Sequence, residues 1–475
     1  MTVRVRFAPS PTGFMHLGNV RAAILNYLFA RQHKGTFILR IEDTDVQRNL
    51  EEAELRITQD LQWLKLVYNE GPLVGGNFGP YLQSERTDIY NTQLNDLVAL
   101  RKVYRCFCTA EILEDKRKKQ LAAGLPPRYD RTCAQLSADK IKAKVSANLP
   151  FIWRFSLNES QIFEIHDLAK GKVTFDMKNF SDFAITRPDG SFTFIFVNFV
   201  DDWFMKITHI IRGEDHLSNT GMQAALYDAF AVKLPTFWHL PLICNQAGEK
   251  LSKRDFGFSL EDLKAAGFLP EAIINYLATI GASFEQEIQS LTELTKNFNF
   301  NHITSTSAIK YDLDKLTWMN HKWIGLLSPE ELYNRVLPFL HRACPESTKI
   351  SHEKLQELIT KLRSDLRSLC DIGPLLEFLF REPIVSREKL NETFGPEKTN
   401  LALEIIHEHK NLLEQSTDSF LESIKSVAQQ RNLKTKEILG PVRYLLTGKC
   451  EGFGIHDLFG MLEKDVIKKR LEKLI

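Results

Sequence analysis

The chain has 475 residues, with 61 Lys and Arg against 60 Asp and Glu, for a net charge of +1. That balance excludes a generally basic coat, so any nucleic-acid surface must be a local patch offset by acid elsewhere. Seven cysteines, odd in number and scattered from 106 to 450, exclude a disulfide framework. The length suggests two to four domains. The start, MTVRVRF, lacks the charged-then-apolar pattern of a signal peptide, and no apolar run reaches the roughly 18 residues of a membrane span. The expected location is the cytoplasm.

Residues 3–7 alternate like a strand. In 20–31, Val20, Ala23, Ile24, Tyr27 and Leu28 recur at helical spacing, with Gly35 as the stop. TFILRIEDTD then reads as a strand over 36–41 that ends in acids, and strand, helix, strand is the unit of a parallel sheet. Residues 50–66 suggest another amphipathic helix. From 87 to 181 the style changes to a charged helix at 110–123, a Pro-Pro turn at 126–127 and short strands such as FIWRFSL. From 182 the parallel-sheet style returns, with FTFIFVNFV and ITHIIRGEDH as strands and TGMQAALYDAFA as a helix. Segment 87–181 therefore reads as an insertion within an α/β domain. Beyond about 325 nearly everything is amphipathic helix, and the chain has neither repeats nor low-complexity tracts.

Two stretches carry residues suited to phosphate. FAPSPTGFMHLGN (7–19) lies where a parallel sheet binds ligands, after its first strand. Its prolines hold the loop extended, Gly13 and Gly18 admit close backbone approach, and helix-start N–H groups with His16 and Asn19 suit an anion. HLGN alone reads more readily as a turn with a surface histidine; the whole stretch in its strand–loop–helix context favours the cradle. KLSKR (250–254) sets three cations beside Gly248, as a mobile loop closing over polyphosphate requires. Alone it is an ordinary charged loop. A third cluster is CFC (Cys106, Cys108) followed by RYDRTC (Tyr129, Cys133). It is either a metal site or a set of idle thiols.

HLGN and KLSKR resemble the HIGH and KMSKS signatures of class I aminoacyl-tRNA synthetases. RFAPSPTGFMHLGN, RIEDTD, PPRYD, VDDW, ITHIIRGEDH, HLPLI, GFLPEAIINYLATIG and GPVRYLLTG extend the likeness, in order, to the bacterial glutamyl-tRNA synthetases. That resemblance implies an α/β, Rossmann-type catalytic domain in two halves (1–86 and 182–238). Between them it places an α+β acceptor-end-binding insertion (87–181); after them come a stem-contact region (239–324) and an all-α anticodon-binding region (325–475). It implies ATP and Mg²⁺ as substrate and cofactor, L-glutamate and tRNA-Glu as partners, and a monomer. By the same match His16, Gly18, Asn19, Lys250, Ser252 and Lys253 hold ATP, with His16, Asn19, Lys250 and Lys253 as the catalytic groups. Arg6, Ala8, Ser10, Glu42, Phe194, Asn198 and Arg212 line the glutamate pocket. Arg6 and Arg212 are expected on the side-chain carboxylate, with Glu42 at the α-amino group.

Two departures stand out. Phe194 occupies the family's tyrosine position in PTYxxxN, so one hydroxyl is missing. Some relatives bind zinc through Cys-x-Cys and a later Cys-x-His, but position 135 is Gln; Tyr129 is then the candidate fourth ligand with Cys106, Cys108 and Cys133. In the helical third, Lys361, Arg363, Arg367, Arg431, Lys434, Lys436 and Arg443 are candidates for the tRNA backbone, or else solvated helix faces. The rival functions are a copy that charges tRNA-Gln with glutamate and a non-catalytic tRNA-binding paralogue. Intact His16, Lys250, Lys253, Glu42, Arg6 and Arg212 weigh against the second.

Overall fold

Strand β1 (Arg4–Phe7) pairs in parallel with β2 (Thr36–Leu39), Arg4 opposite Thr36 and Phe7 opposite Leu39, and helix α1 (Leu17–Gln32) makes the crossover. A Cβ at Gly35 would collide with the Val3 carbonyl, so only glycine lets the chain return that close to β1. The structure is a computed structural model that describes residues 2–44, 52–252, 254–282, 284–299, 303 and 308–474. It divides into two units, Met1–Asp262 with Ile273–Leu313, and Leu263–Ala272 with Asp314–Ile475.

In the first unit, α2 (Ala53–Trp63) and α3 (Thr87–Ala99) precede β3 (Val103–Cys106), α4 (Ala110–Ala122), α5 (Ala138–Ser146) and β4 (Ile152–Phe155), and β3 and β4 pair antiparallel. A hairpin of β5 (Ile162–Asp167) and β6 (Gly171–Asp176) follows, then α6 (Phe194–Phe204), β7 (His209–Gly213), α7 (Leu217–Ala229), β8 (Thr236–Leu240) and β9 (Leu242–Cys244). Strand β7 is parallel to β8, with His209 opposite Thr236, and Thr208 donates its N–H to the Arg4 carbonyl at 2.9 Å beside β1. The hairpin joins the same sheet through β5 and β8, Asp167 opposite Phe237. A chain segment of the 87–181 style thus becomes part of the sheet, beside the start of β8.

The run FTFIFVNFV is not a strand. It is the start of α6, and Phe196, Val197, Phe199 and Val200 are buried at helical spacing against Tyr227, Trp203 and Phe230. Its strand-prone residues reflect a helix packed on nearly all sides, where packing outweighs intrinsic preference. The second unit from Asp314 onward contains only helices and turns among the described residues, around one apolar core. Its helix Pro329–Ala343 opens with a capping box, Ser328 and Glu331 exchanging side-chain and backbone hydrogen bonds, and proline at the first helical position.

Buried charge ties α6 to the turn before α3. Asp201, fully buried, accepts hydrogen bonds from Arg86 Nε at 2.6 Å, Gln83 Nε2 at 2.8 Å and the Tyr90 hydroxyl at 3.0 Å. Asp201→Ala leaves a buried guanidinium without an anion. We expect a loss of about 3–5 kcal/mol in the unfolding free energy of this unit, read by urea denaturation.

Candidate functional site

The loop after β1 wraps a cavity of about 1030 Å³. Hydrogen bonding continues past the strand ends: Arg40 N–H donates to the Phe7 carbonyl and Glu42 N–H to the Pro9 carbonyl, both at 3.0 Å. That extension sets Glu42 beside the loop. Gly13 has φ +152°, a conformation side chains disfavour. Residues Met15 and Leu17 pair with Phe258 and Leu260, closing the cavity from the side of the second signature.

His16 caps α1. Its Nδ1 accepts the Asn19 N–H at 3.2 Å, which leaves the ring proton on Nε2. Burial, then the charge of Lys250, pushes its pKa below the ordinary value. A neutral imidazole with a free Nε2–H is a hydrogen-bond donor at a helix N-terminus, where an anion is favoured. Lys250 donates to Asp215 at 2.9 Å and is largely exposed, so it is free to exchange that partner for phosphate. Ser252 is turned inward on its own loop, its N–H and hydroxyl both donating to Asp255 at 2.8 and 2.9 Å. Lys253 lies outside the described residues.

Behind the loop lies a buried pocket of arginines and acids. Arg6 donates to Asp202 from Nε at 3.0 Å and from Nη2 at 3.3 Å. Arg40 bridges Asp202 at 2.7 Å and Glu42 at 3.1 Å. Asn198 donates to Glu42 at 2.6 Å and accepts from Gln223 at 2.8 Å. Burial raises the Glu42 pKa against the pull of Arg40 and Arg6, while those two arginines hold the buried Asp202 carboxyl below its usual range. Arg212 differs. It is buried, yet none of the described carboxylates lies in ion contact with it. Its Nη2 donates to Thr220 at 2.7 Å and Gln223 at 2.9 Å, its Nε to His239 at 3.3 Å, and its Nη1 has no partner. Burial, then the neighbouring Arg6 charge, lowers its pKa to about 9. An orphaned, desolvated guanidinium on a cavity wall is a site waiting for a carboxylate. Phe194 begins α6 and packs its ring 5.4 Å from that of His216.

Arg6, Ala8, Ser10, His16, Gly18, Asn19, Glu42, Phe194, Asn198, Arg212, Lys250 and Ser252 therefore line one cavity. Sequence reading gave no role to Arg40, Asp202, Thr220, Gln223 or His239, which orient those side chains. The signal was present in VDDW and HLPLI, where two acids and a histidine stand in apolar runs. In the second unit, a cavity of about 420 Å³ is lined by His321, Lys322, Lys361 and Arg363. Arg363 leaves Nε and Nη2 without partners there. Arg443 is instead engaged by the Phe453 and Cys450 carbonyls.

The sulfurs of Cys106, Cys108 and Cys133 all lie within 4.8 Å of one another, with Cys108 and Cys133 at 3.6 Å. Tetrahedral zinc thiolates stand about 3.8 Å apart, from Zn–S distances near 2.3 Å. The Tyr129 hydroxyl is 3.2 Å from Cys106 and 3.7 Å from Cys108. Three thiols and a phenol in this arrangement fit a zinc ion.

The family described as "tRNA synthetases class I (E and Q), catalytic domain" matches residues 2–318, and "Anticodon binding domain" matches 331–475. A glutamate–tRNA ligase from Bacillus licheniformis is 36% identical, covering 100% of this chain and 99% of that protein. Another, from a Sulfurihydrogenibium species, is 37% identical over 99% of each. The solved glutamate tRNA ligase of Elizabethkingia meningosepticum, in complex with its amino acid, is 32% identical with a TM-score of 0.82, covering 100% of this chain and 99% of its own.

Burial, then the charge of Arg212, lowers the pKa of His216 to about 4. The unfolded chain therefore binds a proton that the folded chain refuses, and stability falls as pH drops from about 6.5 toward about 4. His216→Gln should flatten this dependence, by up to about 1.4 kcal/mol per pH unit, in denaturation curves taken across that range.

Proposed function

The chain belongs to the glutamate–tRNA ligases among the class I tRNA synthetases, and we propose from this how its cavity performs that reaction. The enzyme activates L-glutamate with ATP to glutamyl-adenylate and passes the glutamyl group to the 3′-terminal adenosine of tRNA-Glu. In the first step a glutamate α-carboxylate oxygen attacks the α-phosphorus and pyrophosphate leaves. In the second, a ribose hydroxyl attacks the acyl carbon and AMP leaves. No enzyme nucleophile is needed, so positioning and electrostatic stabilisation carry the rate.

In this reading the His16 Nε2–H and the Asn19 amide hold ATP phosphates, Gly18 lets the nucleoside lie against backbone, and Lys250 with Lys253 stabilises the departing pyrophosphate. Mg²⁺ accompanies ATP and shields its phosphates when bound. Asp215, beside Lys250, offers the hard oxygen such an ion takes.

One observation carries the choice of amino acid. Glu42, Asp201 and Asp202 already face Arg40, Arg86 and Arg6; of the two described cavity-lining arginines without a carboxylate, Arg21 donates to backbone carbonyls from all three nitrogens, and Arg212 keeps one nitrogen unpartnered. Glutamate brings one net negative charge; glutamine brings none. Arg212 Nη1, helped by Arg6, meets the side-chain carboxylate, and Glu42 meets the ammonium. Asn198 is engaged by Glu42 and Gln223, so it fixes the acid rather than the substrate. Phe194 donates nothing, which removes one hydrogen bond worth about 0.5–1.5 kcal/mol.

The proposal extends to the other regions. Segment 87–181 meets the acceptor end and holds zinc through Cys106, Cys108, Cys133 and Tyr129. Segment 239–324 meets the stem, and 325–475, with Arg363 and its neighbouring lysines, meets the anticodon arm. The enzyme works as a cytoplasmic monomer. Among the described residues no helix is long and apolar enough to cross a membrane.

Two measurements test this reading. Glutamylation of separate tRNA-Glu and tRNA-Gln transcripts, with ATP and radiolabelled glutamate, should charge tRNA-Glu. Charging of tRNA-Gln alone would assign the chain to an amidation pathway, and charging of neither by folded protein would overturn catalysis altogether. Elemental analysis of protein purified without chelators should find about one zinc per chain, lost in Cys133→Ser. Metal-free wild type would remove zinc from the proposal.

A further inference from the structure

Arg212 does not stand alone behind the cavity. Its Nε donates to His239 Nε2 at 3.3 Å, and the opposite nitrogen of that ring, Nδ1, meets Asp167 Oδ2 at 2.7 Å. Both partners are buried, His239 and Asp167 each at 1% exposure. Asp167 also accepts the backbone N–H groups of Ala169, Lys170 and His239, at 2.9, 2.9 and 3.0 Å. A carboxylate so placed accepts the Nδ1 proton. The ring is then neutral, with Nε2 an acceptor. Only that tautomer can receive both the Arg212 N–H and the Thr220 hydroxyl, which stands 3.0 Å from Nε2. Phe237 stacks on the ring at 5.7 Å and 4°, and the Arg212 guanidinium lies over the same phenyl at 5.5 Å.

A guanidinium has five N–H groups. Nε and Nη2 of Arg212 are held by His239, Thr220 and Gln223, which leaves the two protons of Nη1 as the unpartnered pair, on a residue that lines the cavity. The plane of the fork is therefore set from behind. We infer that His239, held in one tautomer by Asp167, is a positioning residue that aims Arg212 Nη1 at the glutamate side-chain carboxylate. The inference rests on the glutamate-binding role proposed for Arg212. It also gives a task to the β5–β6 hairpin: Asp167 ends β5 and pairs with Phe237 of β8, so this part of the 87–181 segment supports the amino-acid pocket.

The test is steady-state ATP–pyrophosphate exchange, in the presence of tRNA, on the full chain and three variants. His239→Phe deletes the acceptor, and Asp167→Asn offers an N–H to Nδ1 and drives the ring proton to Nε2, against Arg212. Both should raise KM for glutamate about 10- to 100-fold, with KM for ATP within about twofold and kcat largely kept. His239→Gln, whose amide oxygen replaces the Nε2 acceptor, should recover most of the loss. A fall in kcat with KM for glutamate unchanged, or an equal rise in both KM values, would mark a merely structural role and overturn the proposal. Should His239→Phe not fold, Asp167→Asn and His239→Gln decide alone. Nitrogen-15 NMR of histidine-labelled wild type should show the His239 proton on Nδ1; a proton on Nε2 refutes the relay. Wild type that turns over no glutamate would defeat the functional reading itself, whereas active wild type with unaffected variants defeats only this inference.

Discussion

Charge buried away from water must be met by opposite charge or by hydrogen bonds, and the interior of the first unit is organised around that requirement. A continuous chain of contacts runs from Arg6 through Asp202, Arg40, Glu42, Asn198, Gln223, Arg212 and His239 to Asp167. It crosses β1, the segment just past β2, α6, α7, β7, β8 and β5. Each strand end is fixed because its charge has a place in the network. Among its described side chains two buried guanidinium nitrogens lack a hydrogen-bond partner: Arg40 Nε, which still has Asp201 at 3.8 Å, and Arg212 Nη1, which belongs to a residue lining a cavity of the size an amino acid and a nucleotide need.

The same economy explains the division of labour in the cavity. The phosphate side is built from backbone, a neutral histidine and a lysine whose present partner is exposed, so it can rearrange as charge develops. The amino-acid side is built from side chains with almost no remaining freedom. Rigid groups discriminate between substrates, because an unmatched buried charge is costly. Mobile groups follow a leaving group. Phe194 sits at the border, an aromatic wall against His216 without a hydroxyl to offer.

The hairpin and the cysteine cluster belong to a segment whose sequence style differs from the sheet around it. The chain nevertheless adds β5 and β6 to that sheet and sets Asp167 under His239. The cysteine cluster forms around β3, where Cys106 and Cys108 meet Cys133 and the Tyr129 phenol. A binding loop can vary on a scaffold, but these contacts join the segment to the scaffold itself.

Much of this was legible in the sequence. The first strand–helix–strand unit, the phosphate loop with His16 at the helix start, and the helical last third followed from periodicity and from where glycine and proline fall. Full-length motif order indicated the family. The FTFIFVNFV run was misread because strand and helix share the same apolar letters when a segment is buried on several sides. Arg6, Glu42 and Arg212 were recognisable as pocket residues through the family resemblance of RFAPSPTG, RIEDTD and RGEDH. Their partners were not. Whether Arg212 or Arg6 holds an unpaired N–H depends on which of Asp202, Gln223 and His239 lies within 3 Å or so, and those residues are remote in sequence. Sequence by itself determined most of the elements, though not the α6 helix, and the chemistry available at their ends. Tertiary structure alone decided which charge was left without a partner, because pairing is a property of distance in space and not of order along the chain.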